Sequence, residues 1–258
     1  MAECKNIMVY VETAEGNPVK VGLEMLSPAK KLADKVTAVV IGGGVADAAK
    51  EVAKAGADQV ICVDSEDYKE FNLDAYAQVL VELVKEENPE AVFVGGTQDG
   101  KDIAPVVAAK CNTGCASDVL DIKAEDGEVI YTCPLYGGTV LEDVKIKTTP
   151  QIATLRSGAF QKVEDPTEGE VVAKEVKVAD DAIKAKITES VKEIAEMINL
   201  EEAEVIVSGG RMGIKDSSGW TVWKDCCTKI IYCMRNLWSY TARIRNHEFW
   251  IHCSNQQR

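Results

Sequence analysis

Residues 6–111 alternate between short apolar runs and longer stretches whose apolar residues recur at helical spacing. The apolar runs cover residues 6–12, 36–41, 59–63 and 91–94, and the helical stretches cover 23–32, 46–55, 73–85 and 101–111. This alternation is typical of βαβ units on a parallel sheet, and continuous apolar runs indicate strands covered on both faces. The sequence therefore predicts an α/β fold with a mostly parallel sheet and flanking helices.

The pattern changes after residue 111, where the predicted strands become shorter and lie between Gly, Pro and Asp residues. These strands cover residues 129–133, 140–141, 144–146, 151–155 and 171–178. Their spacing predicts hairpins that continue or flank the same sheet.

The chain divides into four predicted parts. An α/β domain over residues 1–185 precedes a charged linker over 186–203. Residues 204–216 provide the first strand and turn of a second α/β domain, because an apolar run there opens onto two glycines. Residues 217–258 form an atypical tail with all four Trp, both His and four of the nine Cys. The tail carries six basic and two acidic side chains, whereas the whole chain has a formal net charge of −13.

This acidic balance disfavours nucleic acid and anionic membranes as partners. The first residues resemble neither a secretory signal nor a transit peptide, and no stretch reaches the roughly 18 apolar residues of a spanning helix. We therefore expect a cytoplasmic protein without membrane insertion. Five cysteines precede the tail, and we expect reduced core thiols there, with neither a disulfide framework nor a metal site. They are Cys4, Cys62, Cys111, Cys115 and Cys133.

Three glycine-rich turns follow predicted strands, where open α/β sheets bind ligands. Gly42–Gly44 and the following Asp47 lack the third glycine of GxGxxG, which favours a tight turn. Gly95–Asp102 matches the GxxxxGK pattern of a P-loop, but an Asp stands where that motif needs Ser or Thr. In Ser208-Gly209-Gly210-Arg211, the glycines would let the backbone approach a ligand and Arg211 would offer a forked cation to pyrophosphate or flavin oxygens. A plain turn is the alternative there.

Several segments together resemble the α subunit of electron-transfer flavoproteins. They include the run Phe93–Lys110, the following Asn112–Asp118, the Tyr-Gly-Gly-Thr segment at 136–139, Pro150–Phe160 and Glu204–Arg211. The resemblance extends over residues 1–216. It implies a nucleotide-hydrolase-like first domain and the start of a second, Rossmann-like FAD domain at residues 204–216.

The resemblance implies an electron carrier, with no substrate turnover of its own and no catalytic residues, that works as a heterodimer with a β subunit. Its FAD would pass electrons from acyl-CoA dehydrogenases or another dehydrogenase to a downstream acceptor, and some members divide the electrons of NADH between two acceptors. Among the family's FAD contacts, the resemblance carries over only Arg211, with Ser208, Gly209 and Gly210 shaping the turn. Met212 departs from the Gly that usually follows this Arg.

The remaining flavin-binding segments of the family, including its AVGASR-like and VGQTG-like runs, have no counterpart in the tail. We therefore expect a truncated flavin domain, caused by a frameshift near residues 217–224, and weak or lost FAD binding. The tail leaves two other interpretations open, a nucleic-acid-binding segment and a metal site made by its Cys and His residues. These are Cys226, Cys227, Cys233, His247 and Cys253.

Two functions of other classes also remain open. One is a non-redox α/β module that binds a partner without flavin. The other is a small-nucleotide hydrolase or kinase, which predicts ATP binding at Gly95–Asp102.

Overall fold

The computed structural model describes residues 4–163 except 15 and 126, residues 169–176, 178, 183 and 185, and the backbone of residues 205–209 and 229–233. The α-helices of this part are α1 (Lys20–Leu32), α2 (Ala46–Lys54), α3 (Leu73–Glu87) and α4 (Gln98–Lys110). The strands are β1 (Cys4–Val11), β2 (Thr13–Ala14), β3 (Asn17–Pro18), β4 (Ala33–Gly42), β5 (Gln59–Asp64), β6 (Ala91–Gly95), β7 (Cys115–Val119), β8 (Asp121–Glu125), β9 (Glu128–Leu135), β10 (Val140–Val144), β11 (Gln151–Leu155), β12 (Glu170–Ala173), β13 (Val205–Gly209) and β14 (Lys229–Cys233).

Seven strands form one sheet in the order β12-β5-β4-β1-β6-β11-β7, and each neighbouring pair is parallel. The chain first adds β4 and β5 on one side of β1 and then returns to place β6 on the other side. The predicted α/β class with a mostly parallel sheet is confirmed. The order reverses between β1 and β6, which is where open sheets of this kind form a crevice at their carboxyl ends.

Both faces of the sheet are covered, which explains why the central stretches of its strands are apolar. Along β1, Ile7 and Val9 pack into one apolar cluster with α1 and α2, whereas Met8 and Tyr10 pack into a second cluster with α3 and α4. Successive side chains of a strand point to opposite faces, so a stretch buried on both sides favours apolar residues at every position.

Local signals set the ends of α3. Asn72 caps its first turn, because its Oδ1 accepts hydrogen bonds from the N–H groups of Asp74 and Ala75 at 3.1 and 3.3 Å. Asn88 ends the helix with a left-handed φ of 44°, and the Pro that follows cannot extend it.

The short strands after residue 111 take two different places. Strands β8, β9 and β10 form a separate antiparallel sheet in the order β10-β9-β8, which includes the predicted hairpin. Strands β11 and β12 instead pair in parallel within the large sheet. The expectation of hairpins was wrong for these two strands. Ile152, Ala153 and Leu155 are fully buried, so β11 has no polar face to expose and suits the sheet interior.

The chain separates into two compact units, Met1–Ser190 and Val191–Arg258. In the second unit, β13 pairs in parallel with β14, and Val205 lies opposite Lys229. The segment expected to be atypical, residues 217–258, thus contributes a strand, formed by residues 229–233. None of the helices that the structure describes is long and apolar enough to cross a bilayer.

Candidate functional site

The strand end at Ser208 and Gly209 is the described part of the predicted flavin contact. These residues close β13 and lie opposite Tyr232 and Cys233 of the parallel β14. They therefore occupy the carboxyl end of a parallel strand pair, where α/β sheets take ligands. Gly210 and Arg211 lie outside the described residues, so their predicted role as flavin contacts stays a prediction.

The Gly42–Gly44 turn connects β4 to α2 in the first unit. Gly44 has a φ of 73°, and its N–H donates to Asp64 Oδ1 at 2.7 Å. The exposed Asp47 pairs with Lys50 at 2.8 Å, and the hydrogen bond and charge of Lys50 lower the pKa of that carboxyl. This geometry is that of a tight strand-to-helix turn.

The Gly95–Asp102 segment does not form a phosphate cradle. Helix α4 begins at Gln98, so Gly100 and Lys101 belong to the helix. The N–H of Gly100 bonds to Thr97 Oγ1 at 3.0 Å and that of Lys101 to Thr97 O at 3.0 Å. A Cβ added to Gly100 would lie 2.0 Å from Gly95 O. The glycine therefore permits close backbone packing, and three amides that a P-loop would aim at phosphate, those of Gly96, Gly100 and Lys101, are already bonded.

Glu12 lies at the point where the strand order reverses, directly after β1. Thr97 Oγ1 donates a hydrogen bond to Glu12 Oε1 at 2.6 Å. Burial raises the pKa of Glu12 from 4.5 to about 7; the Thr97 hydrogen bond opposes this rise, and the charge of Asp99 adds to it. Burial and then Asp102 also raise the pKa of Asp99. This crevice is acidic and closely packed, so it suits a bound proton better than a phosphate group.

A second set of polar contacts joins the ends of β7 and β11. Arg156 makes a two-pronged ion pair with Asp118, with Nε 2.9 Å from Oδ1 and Nη2 bonded to Oδ2. Asp118 adopts a φ of 60°, and its N–H donates to Thr154 Oγ1 at 2.8 Å. Two residues beyond Arg156, the N–H of Gly158 donates to the buried Glu24 at 2.8 Å. These contacts fix the loops at the carboxyl edge of the sheet.

None of the five described cysteines forms a disulfide bond. Burial raises the pKa of Cys62, Cys111, Cys115 and Cys133, which disfavours the reactive thiolate. Among the residues that the structure describes, no group of three or more His, Cys, Asp or Glu is arranged to hold a metal ion. The Cys and His residues considered as a metal site in the tail have no described side chains.

Sequence reasoning missed Glu12, Glu24 and the Asp118–Arg156 pair. Glu12 carried one usable signal, since it is a carboxylate directly after a continuous apolar strand, the position where ligands and titratable groups gather. The Asp118–Arg156 ion pair gave no signal in the sequence, because its two residues lie 38 positions apart. They meet only because β11 pairs with β7.

The reversal of strand order beside β1, with helices on both faces, defines the first unit as a doubly wound α/β protein. The family model of the electron transfer flavoprotein domain matches residues 7–209. The chain belongs to the electron transfer flavoprotein family, as the sequence resemblance predicted.

Three relatives illustrate this membership. Protein FixB of Clostridium saccharobutylicum is 35% identical over 226 residues, which cover 84% of this chain and 67% of that protein. Electron transfer flavoprotein subunit alpha of Thermoanaerobacterium thermosaccharolyticum is 36% identical over 234 residues, 87% of this chain and 70% of the relative. The acryloyl-CoA reductase electron transfer subunit beta of Anaerotignum propionicum is 33% identical over 248 residues, with shares of 83% and 68%.

Proposed function

We propose that this chain is the α subunit of an electron-transfer flavoprotein, an electron carrier with no substrate turnover of its own. The observation that carries the proposal is the family match over residues 7–209, which includes nearly all of the parallel sheet and ends on the strand that holds Ser208 and Gly209. Relatives named electron transfer flavoprotein subunit alpha support it.

The proposed cofactor is FAD, which supplies one- and two-electron redox chemistry when bound. The first unit does not fit it, because its crevice holds Glu12 and Asp99 and its glycine turn packs against backbone. The end of β13 fits better, since Gly209 has no side chain to block the approach of a ligand. Arg211, two residues on, would place a positive charge beside the reduced, anionic flavin and stabilise it. With the family's other flavin segments missing from residues 217–258, we expect weak binding.

The proposed partners are a β subunit and a dehydrogenase that donates electrons. Two relatives have names that tie them to such systems, an acryloyl-CoA reductase electron transfer subunit and a subunit of lactate dehydrogenase (NAD(+),ferredoxin) from Acetobacterium woodii. We therefore propose an acyl-CoA dehydrogenase or an NADH-dependent enzyme as the donor. We also propose a cytoplasmic location.

Titration of FAD into the full chain co-expressed with a β subunit tests this function. We expect flavin absorbance that saturates only at high FAD concentration. Arg211→Ala should weaken FAD binding about tenfold, because one charge-assisted contact is lost. Lys215→Ala, which removes a cation four residues away, is the matched control and should bind as the unaltered chain does. Equal FAD affinity for both variants would remove Arg211 from the flavin site, and absence of any flavin binding with the β subunit present would remove the carrier function.

A second candidate is a non-redox partner-binding module. It is favoured by the packing of the first unit, in which the described residues form two apolar clusters, one on each face of the large sheet. A complex with the β subunit that forms at full stoichiometry and carries no flavin would support this candidate over the first.

A further inference from the structure

Strand β12 is an edge strand of the large sheet. Among the described strands it pairs only with β5, in parallel, with Val171 opposite Val60. Glu170, Val171 and Ala173 are exposed, and Val171 is an exposed large hydrophobic residue. The strand itself contains neither Lys nor Pro, which often prevent an edge strand from pairing with another chain. In the part of the chain that the structure describes, this edge is therefore available to a further strand.

The backbone groups of β12 point alternately to the two sides of the strand. The N–H groups of Glu170 and Lys174 donate to carbonyl groups of the neighbouring segment Asp58–Cys62, at 3.1 and 2.9 Å. Both residues therefore turn their backbone groups towards β5. Val171 and Ala173 turn theirs to the outer side, because successive residues of a strand alternate in direction. Two N–H and two C=O groups thus line the outer edge.

The residues of this edge complement themselves across a two-fold axis. Antiparallel pairing of two β12 strands about Val172 would place Val171 of each copy opposite Ala173 of the other. These are the residues whose backbone groups point outward, and such a pair exchanges two hydrogen bonds, so the contact would form four. The same register places Val172 opposite Val172 and Glu170 opposite Lys174.

The charged residues favour the same register. Opposite charges that face each other across two strands stabilise a sheet. Lys174 Nζ bonds to Glu86 and Glu87 at 3.1 and 2.8 Å, and an ammonium group has three donors. Beyond these contacts with described residues, one donor can reach the exposed Glu170 of a second copy. A surface that is complementary to itself suits a contact between identical chains.

We propose that β12 pairs with β12 of a second copy of this chain and joins the two large sheets across a two-fold axis. The contact consists of one short strand from each copy, so the dimer is weak and forms at high protein concentration. This pairing is independent of the proposed function, because it involves neither flavin nor the companion subunit.

Sedimentation velocity of the full chain over a range of concentrations tests the pairing. Val171→Pro removes an outward N–H without the loss of a bond to β5, and Pro is tolerated at such edge positions. We expect it to weaken the dimer about thirtyfold, since each dimer loses two hydrogen bonds. Val171→Thr keeps the N–H and a β-branched side chain. It is the matched control and should dimerise as the unaltered chain does.

A second pair of variants tests the register. Glu170→Lys would place two cations opposite each other at both ends of the contact and should weaken the dimer about tenfold. Glu175→Lys makes the same change of charge at an exposed position that the register places opposite the uncharged Gly169. This control should leave the dimer unchanged. Both β12 variants should keep the melting temperature of the unaltered chain at low concentration.

Two results would overturn the pairing. One is a chain that stays monomeric at every concentration, and the other is a dimer that Val171→Pro and Glu170→Lys both leave intact. The β subunit is the other possible occupant of this edge. If the unaltered chain is monomeric and Val171→Pro weakens its binding to the β subunit, the edge belongs to the companion and a second copy is excluded as the occupant.

Discussion

The glycines after β6 and at the end of β13 look alike in the sequence, yet they meet different surroundings. Gly100 fits against the carbonyl of Gly95, where no side chain has room, and the neighbouring amides bond to Thr97. Gly209 instead closes a strand that has one described neighbour, β14. A glycine near a strand end can thus serve close backbone packing or ligand approach, and the bonding of the nearby amides distinguishes the two.

The largest expected effect is on Gly100. Gly100→Ala places a methyl group 2.0 Å from Gly95 O, so the first turn of α4 must move. We expect a loss of about 3 kcal/mol in stability, at the upper end of ordinary overpacking. Thermal unfolding of the full chain measures this, with the exposed Asp102→Ala in the same helix as control. An unchanged melting temperature would mean that residues 95–102 form an open loop. Gly100 would then not be needed for close backbone packing and would no longer differ from Gly209.

The next effect concerns the proton on Glu12. The pKa of Glu12 in the folded chain is about 7, above its ordinary value of 4.5, so the folded state binds more protons between these values. The stability that this proton contributes is therefore fully present below about pH 4.5 and is lost as pH rises through 7, by about 2 kcal/mol between about pH 5 and 9.

Glu12→Gln removes this dependence. The variant should gain stability relative to the unaltered chain as pH rises from about 5 to 9, measured as the difference in melting temperature at each pH. Glu51→Gln, at an exposed position of α2, controls for the loss of one negative charge. If the Glu12→Gln difference stays constant over this range, the crevice holds no proton near neutral pH.

The smallest expected effect is that of ATP. The bonded amides and the carboxyl groups of Glu12 and Asp99 oppose phosphate at the Gly95–Asp102 segment. We expect millimolar ATP with Mg²⁺ to leave the melting temperature unchanged. A rise that Lys101→Ala abolishes would instead support the nucleotide-hydrolase interpretation and make the two glycine segments functionally similar.

The strands that the sequence predicted best are those buried on both faces. β1, β4 and β6 each contain a nearly uninterrupted apolar run, and in a chain with helical stretches between such runs this pattern indicates parallel strands. β7 escaped prediction because Cys115-Ala-Ser-Asp-Val119 mixes buried and partly exposed positions at a sheet edge. Neither the parallel pairing of β11 nor the ion pair that depends on it follows from local pattern, since both result from contacts distant in sequence.

The strand that leads to the candidate flavin contact was predictable from the sequence, whereas the contact itself stays a prediction. The resemblance singled out Ser208–Arg211, and the structure describes the first two residues of that segment at a strand end. The hairpin at residues 140–141 was predicted as β structure, but its exposure was not, because apolar residues in a strand usually indicate burial. The structure shows four consecutive exposed residues in β10, so neither face of this strand is covered there.

The position of β11 also bears on how the chain is assembled during synthesis. β7 leaves the ribosome before β11, yet in the large sheet β11 lies between β6 and β7 and is the strand that joins them. Until residue 155 has emerged, β6 presents an open edge and β7 has no place in that sheet. The β8–β10 meander can form in the meantime from neighbouring segments, because hairpins need only local contacts. On this side of the large sheet, the edge strand β7 is therefore synthesised first. It joins the sheet only after the inner strand β11 has been made.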